Sequence, residues 1–272
     1  MVTLNMLNPV RRLKGQYTFN LRHIAVLIGV AVALPCVAQL GGDLQAQILY
    51  GYQTEDLNQL TDLVQSLSTE VKADGSDLAL RYHLAHADYR YAELLGGAHQ
   101  RPAEAHQRSA ETALADCADQ TSTLLDHDSH SVEALVLDSA CLVDLAKYRP
   151  VQGVILRSKA ADRLAAAYKL APRNPRVLLM RATGDLQRAK PGTAQSAQAL
   201  AELQLAATRF DETSATNIDD PGWGHADAYL ALGRQYLLRG DLLAARNWIE
   251  KSLIVAPDFK AAQRQLAALT QH

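Results

Sequence analysis

ALGRQYLLRGDLLAARNWIEKSLIVAP, residues 231–257, sets small residues, large apolar residues, a glycine turn and a closing proline at fixed intervals. Gly233, Ala245 and Ser252 are small where two backbones would have to come close. Leu232, Tyr236 and Ile249, with Tyr229 just upstream, are bulky enough to fill the space between them. Gly240-Asp241 supplies a turn, and Pro257 stops whatever helix precedes it. The stretch reads as two antiparallel helices packed face to face, a unit that must stack on a neighbour to bury its remaining apolar surface.

The surrounding chain has the composition for such neighbours. It has 272 residues, of which 48% are hydrophobic and only 6% aromatic. Ala, Leu, Gln and Arg are plentiful, a mixture of strong helix formers with little β-branched or aromatic enrichment. Leu57, Leu60, Val64, Leu67 and Val71 recur at spacings of three and four, which marks one apolar stripe on a helix. Thr54 with Glu55 and Asp56 suits its start, and Gly75 its stop.

Further helices are predicted over 77–95, from Pro102 to about 125, and over 132–146, 156–170, 175–188, 194–210, 224–238, 242–255 and 260–269. Strand signals are confined to short apolar runs such as 151–156. The expected architecture is all-α, a string of helical hairpins.

The spacing Tyr229-x2-Leu232-Gly233-x2-Tyr236, then Ala245-x3-Ile249, then Pro257 resembles the tetratricopeptide repeat (TPR), with Tyr and Ile replacing the usual Trp and Phe. Upstream, Ala160-x3-Leu164 with Ala167 and Pro172 repeats the second-helix half, echoed by Ala110-x3-Leu114 and Ala199-x3-Leu203. The resemblance covers roughly 76–272 and implies a right-handed α-solenoid of about four antiparallel hairpins with a C-terminal capping helix. A narrower similarity lies in Asn174-Pro175-Arg176-Val177 and Trp223-Gly224, which look like runs recurring in exported bacterial TPR proteins of undefined activity.

Residues 1–38 form a separate region. They hold four of the 27 basic residues and none of the 29 acidic ones, and run apolar from Ile24 to Leu34 before Cys36-Val37-Ala38. That layout matches a secretory signal peptide, too short to span a bilayer, followed by a linker at 39–52 and the helical domain at 53–272. Leu34-Pro35-Cys36 and Arg11-Arg12 leave open a lipidated or a twin-Arg form, and an uncleaved leader would be the one route to a membrane. The expected location is the periplasm. The remainder carries 23 basic against 29 acidic residues, which excludes a nucleic-acid footprint.

Cys117 and Cys141 fall at similar heights on consecutive helices, so either a disulfide or two buried thiols would fit an exported protein. His83 and His86 share a helix face, and Asp126-His127-Asp128-Ser129-His130 gathers polar groups at an expected turn. Neither carries a recognised metal-binding spacing, so no metal or cofactor is expected. No nucleophile-elbow, Walker or dinucleotide motif occurs.

The remaining candidate is a groove. TPR first helices line a concave side, and the repeat alignment puts Tyr82, His86, Tyr89 and Arg90 there from one unit and Leu230, Arg234 and Leu237 from another. The expected function is a non-enzymatic envelope scaffold binding a protein or peptide. The alternative is an accessory protein of solute uptake that binds a small ligand.

Overall fold

The structure is a computed structural model and describes residues 36–97, 104–214 and 221–269. Eleven helices fill these segments: α1 Cys36–Gln53, α2 Leu57–Ala73, α3 Leu78–Leu95, α4 Glu104–His127, α5 Val132–Tyr148, α6 Gly153–Leu170, α7 Pro175–Arg188, α8 Ala194–Ser214, α9 His225–Leu238, α10 Leu242–Val255 and α11 Lys260–Leu269. Among the described residues there is no strand. Four hairpins, α3–α4, α5–α6, α7–α8 and α9–α10, follow one another and α11 packs on the last. This is the all-α solenoid that the repeat spacing predicts.

The cores are shared between neighbours, as stacking requires. Leu137, Ala140 and Cys141 of α5 pack with Leu114 and Cys117 of α4 and Ala160 of α6. Leu178 and Leu179 of α7 pack with Leu203 and Phe210 of α8 and Tyr229 and Leu232 of α9. Leu230, Ile249, Phe259 and Ala262 join α9, α10 and α11. Each hairpin is thus half a core, completed by the next.

Close helix crossings explain the small residues of the opening stretch. A Cβ on Gly233 would lie 2.5 Å from Cγ1 of Ile249 and 3.2 Å from the Ala245 carbonyl, so only glycine fits that crossing. Ser252 donates to the carbonyl of Ala226 at 2.8 Å, and Ser139 to that of Ala160 at 2.9 Å, each hydroxyl tying two helices where they touch. Ala245 and Ile249 are fully buried, and Tyr236 receives a hydrogen bond from Gln204 at 2.7 Å. Pro257 follows α10 directly, at an exposed position.

Cys117 and Cys141 form a disulfide across α4 and α5, with Cα atoms 6.2 Å apart. Beside it Asp138 of α5 is fully buried, accepting from Thr121 of α4 at 3.0 Å and from Arg163 of α6 at 2.9 Å. Three consecutive helices are therefore joined by a bond, a hydroxyl and an ion pair.

Three expectations are corrected. The segment 39–52, read as a linker, lies inside α1, where Ile48 is fully buried among Leu67, Leu84 and Ala87. Its glycines and glutamines hide an apolar stripe. Thr54 does not start α2: its hydroxyl bonds the Tyr50 carbonyl at 2.7 Å at the end of α1, and Asp56 caps α2 by accepting from the Gln59 amide at 3.0 Å. The helix expected over 156–170 begins three residues earlier, at Gly153, so most of the 151–156 run forms the first turn of α6. Of the leader expected over 1–38, the first 35 residues lie outside the described residues, as does the helix start expected at Pro102.

Candidate functional site

The parallel first helices α3, α5, α7 and α9 border a cavity of about 950 Å3. Four of the seven expected groove residues, Tyr89, Arg90, Leu230 and Arg234, line it, together with Tyr52 from α1. The other side is formed by Val143, Asp144 and Lys147 of α5, Leu164 and Tyr168 of α6, and Met180, Arg181 and Asp185 of α7.

Most of the expected positions do not project freely into this space. His86 is fully buried, and Arg90 and Leu230 are 3% exposed. The repeat pattern alone leaves the inner face of α3 open, whereas α1 and the start of α9 cover it. His86 lies against the indole of Trp223, centroids 5.6 Å apart, and its Nε2 accepts from Nε of Arg90 at 3.2 Å. Burial, and the charge of Arg90 beside it, hold its pKa well below the ordinary value, so it is a neutral imidazole. Tyr82 accepts from Nε1 of Trp223 at 2.9 Å. Leu237 packs toward Phe259 and α11, and only Arg234 keeps an exposed side chain, with Gln265 at 3.3 Å.

Arg90 is the centre of the arrangement. It donates to Oδ2 of Asp227 at 2.9 Å and to Oε2 of Glu93 at 2.6 Å, while its guanidinium stands 4.2 Å from the ring centroid of Tyr52. Tyr52 in turn donates to Oδ1 of Asp227 at 3.1 Å. Three helices, α1, α3 and α9, meet in one buried polar knot, and the first hairpin is tied to the last across 137 residues of sequence. Burial works against the charge on Arg90, but the carboxylates of Asp227 and Glu93 outweigh it and raise its pKa. Glu93, at the rim, is pushed up to about 7 by burial and by Asp227, against the pull of Arg90.

A second buried arginine supports the first. Asn174 accepts from the amides of Arg176 and Val177 at 2.9 and 3.2 Å, capping α7, with Pro175 in the first turn. This aims Arg176, 3% exposed, at Oε2 of Glu133 (2.7 Å) and the carbonyl of Trp223 (3.3 Å). Gly224 then opens α9 with φ of 98° and no room for a side chain, since a Cβ would stand 2.7 Å from Phe210. The Asn-Pro-Arg-Val and Trp-Gly runs are therefore the fittings that hold α9 against the earlier hairpins.

No protein-family model and no curated protein matches the chain. Among solved structures, the crystal structure of TTC0263, a thermophilic TPR protein of Thermus thermophilus, superposes with a TM-score of 0.58 at 17% identity, covering 86% of this chain and 100% of that one. The fold is TPR-like. At that identity the likeness is one of architecture alone. Within the TPR-like stack, the cavity lies on the side where the first helices α3, α5, α7 and α9 face one another.

The remaining open wall carries usable groups. The guanidinium of Arg181 lies 3.6 Å from the ring centroid of Tyr168, which is itself 38% exposed. Arg157 is exposed at the rim and has no ion pair among the described residues. Two rim carboxylates are paired, Asp144 with Lys147 at 2.6 Å and Asp185 with Arg188 at 2.7 Å. Sequence reasoning missed Tyr168, Arg181 and Arg157 because they project from second helices or from α7, outside the units used for alignment. Among the described residues no group of three His, Cys, Asp or Glu side chains converges in a way that could hold a metal.

Proposed function

We propose that the protein is a non-enzymatic scaffold of the bacterial envelope that receives a protein or peptide segment in the cavity bordered by α3, α5, α7 and α9. The observation that carries the reading is the wall of Tyr168, Arg181, Arg157 and Arg234, an aromatic surface with arginines, the residue types that contribute most to protein binding. The acid-free, apolar leader of residues 1–38 supports the envelope as the compartment. A photo-crosslinking residue at Tyr168 in growing cells should give a discrete adduct that the same residue at exposed Lys251 does not. Identical adducts from both positions, or none from Tyr168, would refute the reading.

One feature favours a second reading. The tie between Arg90 and Asp227 partly closes the cavity, and about 950 Å3 falls within the size range of small-molecule sites. A periplasmic protein of solute uptake would then hold a metabolite there. A metabolite panel that raises the melting temperature, and whose effect Arg181→Ala abolishes, would favour this over the scaffold.

A further inference from the structure

The turns inside the hairpins emerge together on one edge of the stack, because α5, α7 and α9 run parallel. That edge exposes side chains that ordinarily fill cores. At the α5–α6 turn Val151 is 95% exposed, Val154 76% and Ile155 72%; at the α9–α10 turn Leu238 is 76% exposed and Leu243 72%. They stand at turn tips and in first helical turns, so they do not form a groove.

The charges around them are predominantly basic. From Lys147 to Ala161 the chain has Lys147, Arg149, Arg157 and Lys159 and no acid. Lys190 lies at the α7–α8 turn and Arg239 at the α9–α10 turn. Lys147 and Arg149 are paired with Asp144 and Glu111, but Arg157, Lys159, Lys190 and Arg239 have no ion pair among the described residues. Against them stand Asp241 at the last turn, which caps α10 and keeps its charge, and Asp185, paired with Arg188. The opposite edge, where hairpins join each other, carries Asp74, Asp77, Asp126, Asp128 and Asp258 against Arg173 and Lys260. A net acidic protein thus presents one basic, apolar-tipped edge.

We infer that this edge docks on an anionic membrane surface, with Val151, Val154, Ile155, Leu238 and Leu243 entering the headgroup boundary. Apolar tips flanked by long cationic stems are the arrangement an interface takes up: the tips insert, and the Lys and Arg heads reach lipid phosphates. The acidic edge opposite would be repelled, which fixes the orientation. Among the described residues no helix is long and apolar enough to cross a membrane, so the contact is peripheral.

The test uses the full chain and vesicles of phosphatidylcholine with or without phosphatidylglycerol. The leader is common to every variant, so differences between variants report the edge. Binding should require the anionic lipid, weaken at high salt, and fall about tenfold or more in Val154→Glu/Ile155→Glu and about fivefold per charge in Arg157→Gln and Lys190→Gln. A tryptophan at Val151 should be quenched by brominated lipid, and one at Ser129 on the opposite edge should not. Equal binding to neutral vesicles, equal quenching at the two positions, or a dimer in lipid-free solution that the double glutamate variant dissolves would each overturn the inference.

Discussion

Replacing Arg90 by methionine tests whether the knot between α3 and α9 holds the stack together. Methionine keeps the unbranched apolar stem but removes the cation that Asp227 faces at 2.9 Å and Glu93 at 2.6 Å, at a site where Arg90 is 3% exposed. Removing one partner of a buried pair leaves an uncompensated charge, a loss of roughly 3–5 kcal/mol. Glu93 can escape part of this by taking up a proton, so the lower end, about 3 kcal/mol, is expected. For a domain of this size that lowers the melting temperature by roughly 6–12 °C. Thermal and urea unfolding of the full chain measure it. Asp227→Asn keeps an acceptor for the Tyr52 hydroxyl and removes the orphaned charge, so in the Arg90→Met background it should cost at least about 1 kcal/mol less than alone. A single variant within about 1 kcal/mol of the parent, or strict additivity in the double, would refute the knot as a stabilising element.

Two further outcomes follow from the same geometry. Glu93 titrates near 7 in the folded protein against an ordinary value of 4.5, so the folded state holds a proton that the unfolded state releases between these values. Stability should therefore fall as pH rises from about 4.5 to 7 and level off above, by roughly 1–3 kcal/mol; urea titrations at pH 5 and 8 should show a smaller decline in Glu93→Gln, and an unchanged decline would refute the assignment. Reducing the Cys117–Cys141 bond, which closes a loop of sequence separation 24, should cost about 3 kcal/mol, read as a lower melting temperature with reductant that Cys117→Ser/Cys141→Ser reproduces without it.

Helices were readable wherever burial is one-sided and local. The stripe of Leu60, Leu67 and Val71 and the crossing of Gly233 with Ile249 are set by neighbours four, seven or sixteen residues away, and a single sequence displays such spacings directly. The height-matching of Cys117 and Cys141 was legible for the same reason, and their Cα separation of 6.2 Å shows that the two positions face each other. The site was less legible. Arg90 and Asp227 are 137 residues apart, and nothing periodic connects them. Once α1 is taken as a linker, Tyr52 is lost from above Arg90, and His86 and Arg90 look like surface groups instead of the buried pair they are. Arg176 and Trp223 were noticed as a motif, yet their role depends on Glu133 from a third helix.

The link from α3 to α9 changes the mechanics of the molecule. An untethered coil of hairpins stretches like a spring, each junction giving by a degree or two at small cost. Riveting the first turn to the last with Arg90 and Asp227 takes that compliance away, so widening must begin with rupture of a desolvated charge pair. A latch of this kind would slow entry and exit alike, so it would set the pace of exchange and leave the equilibrium occupancy to the fit of the interior.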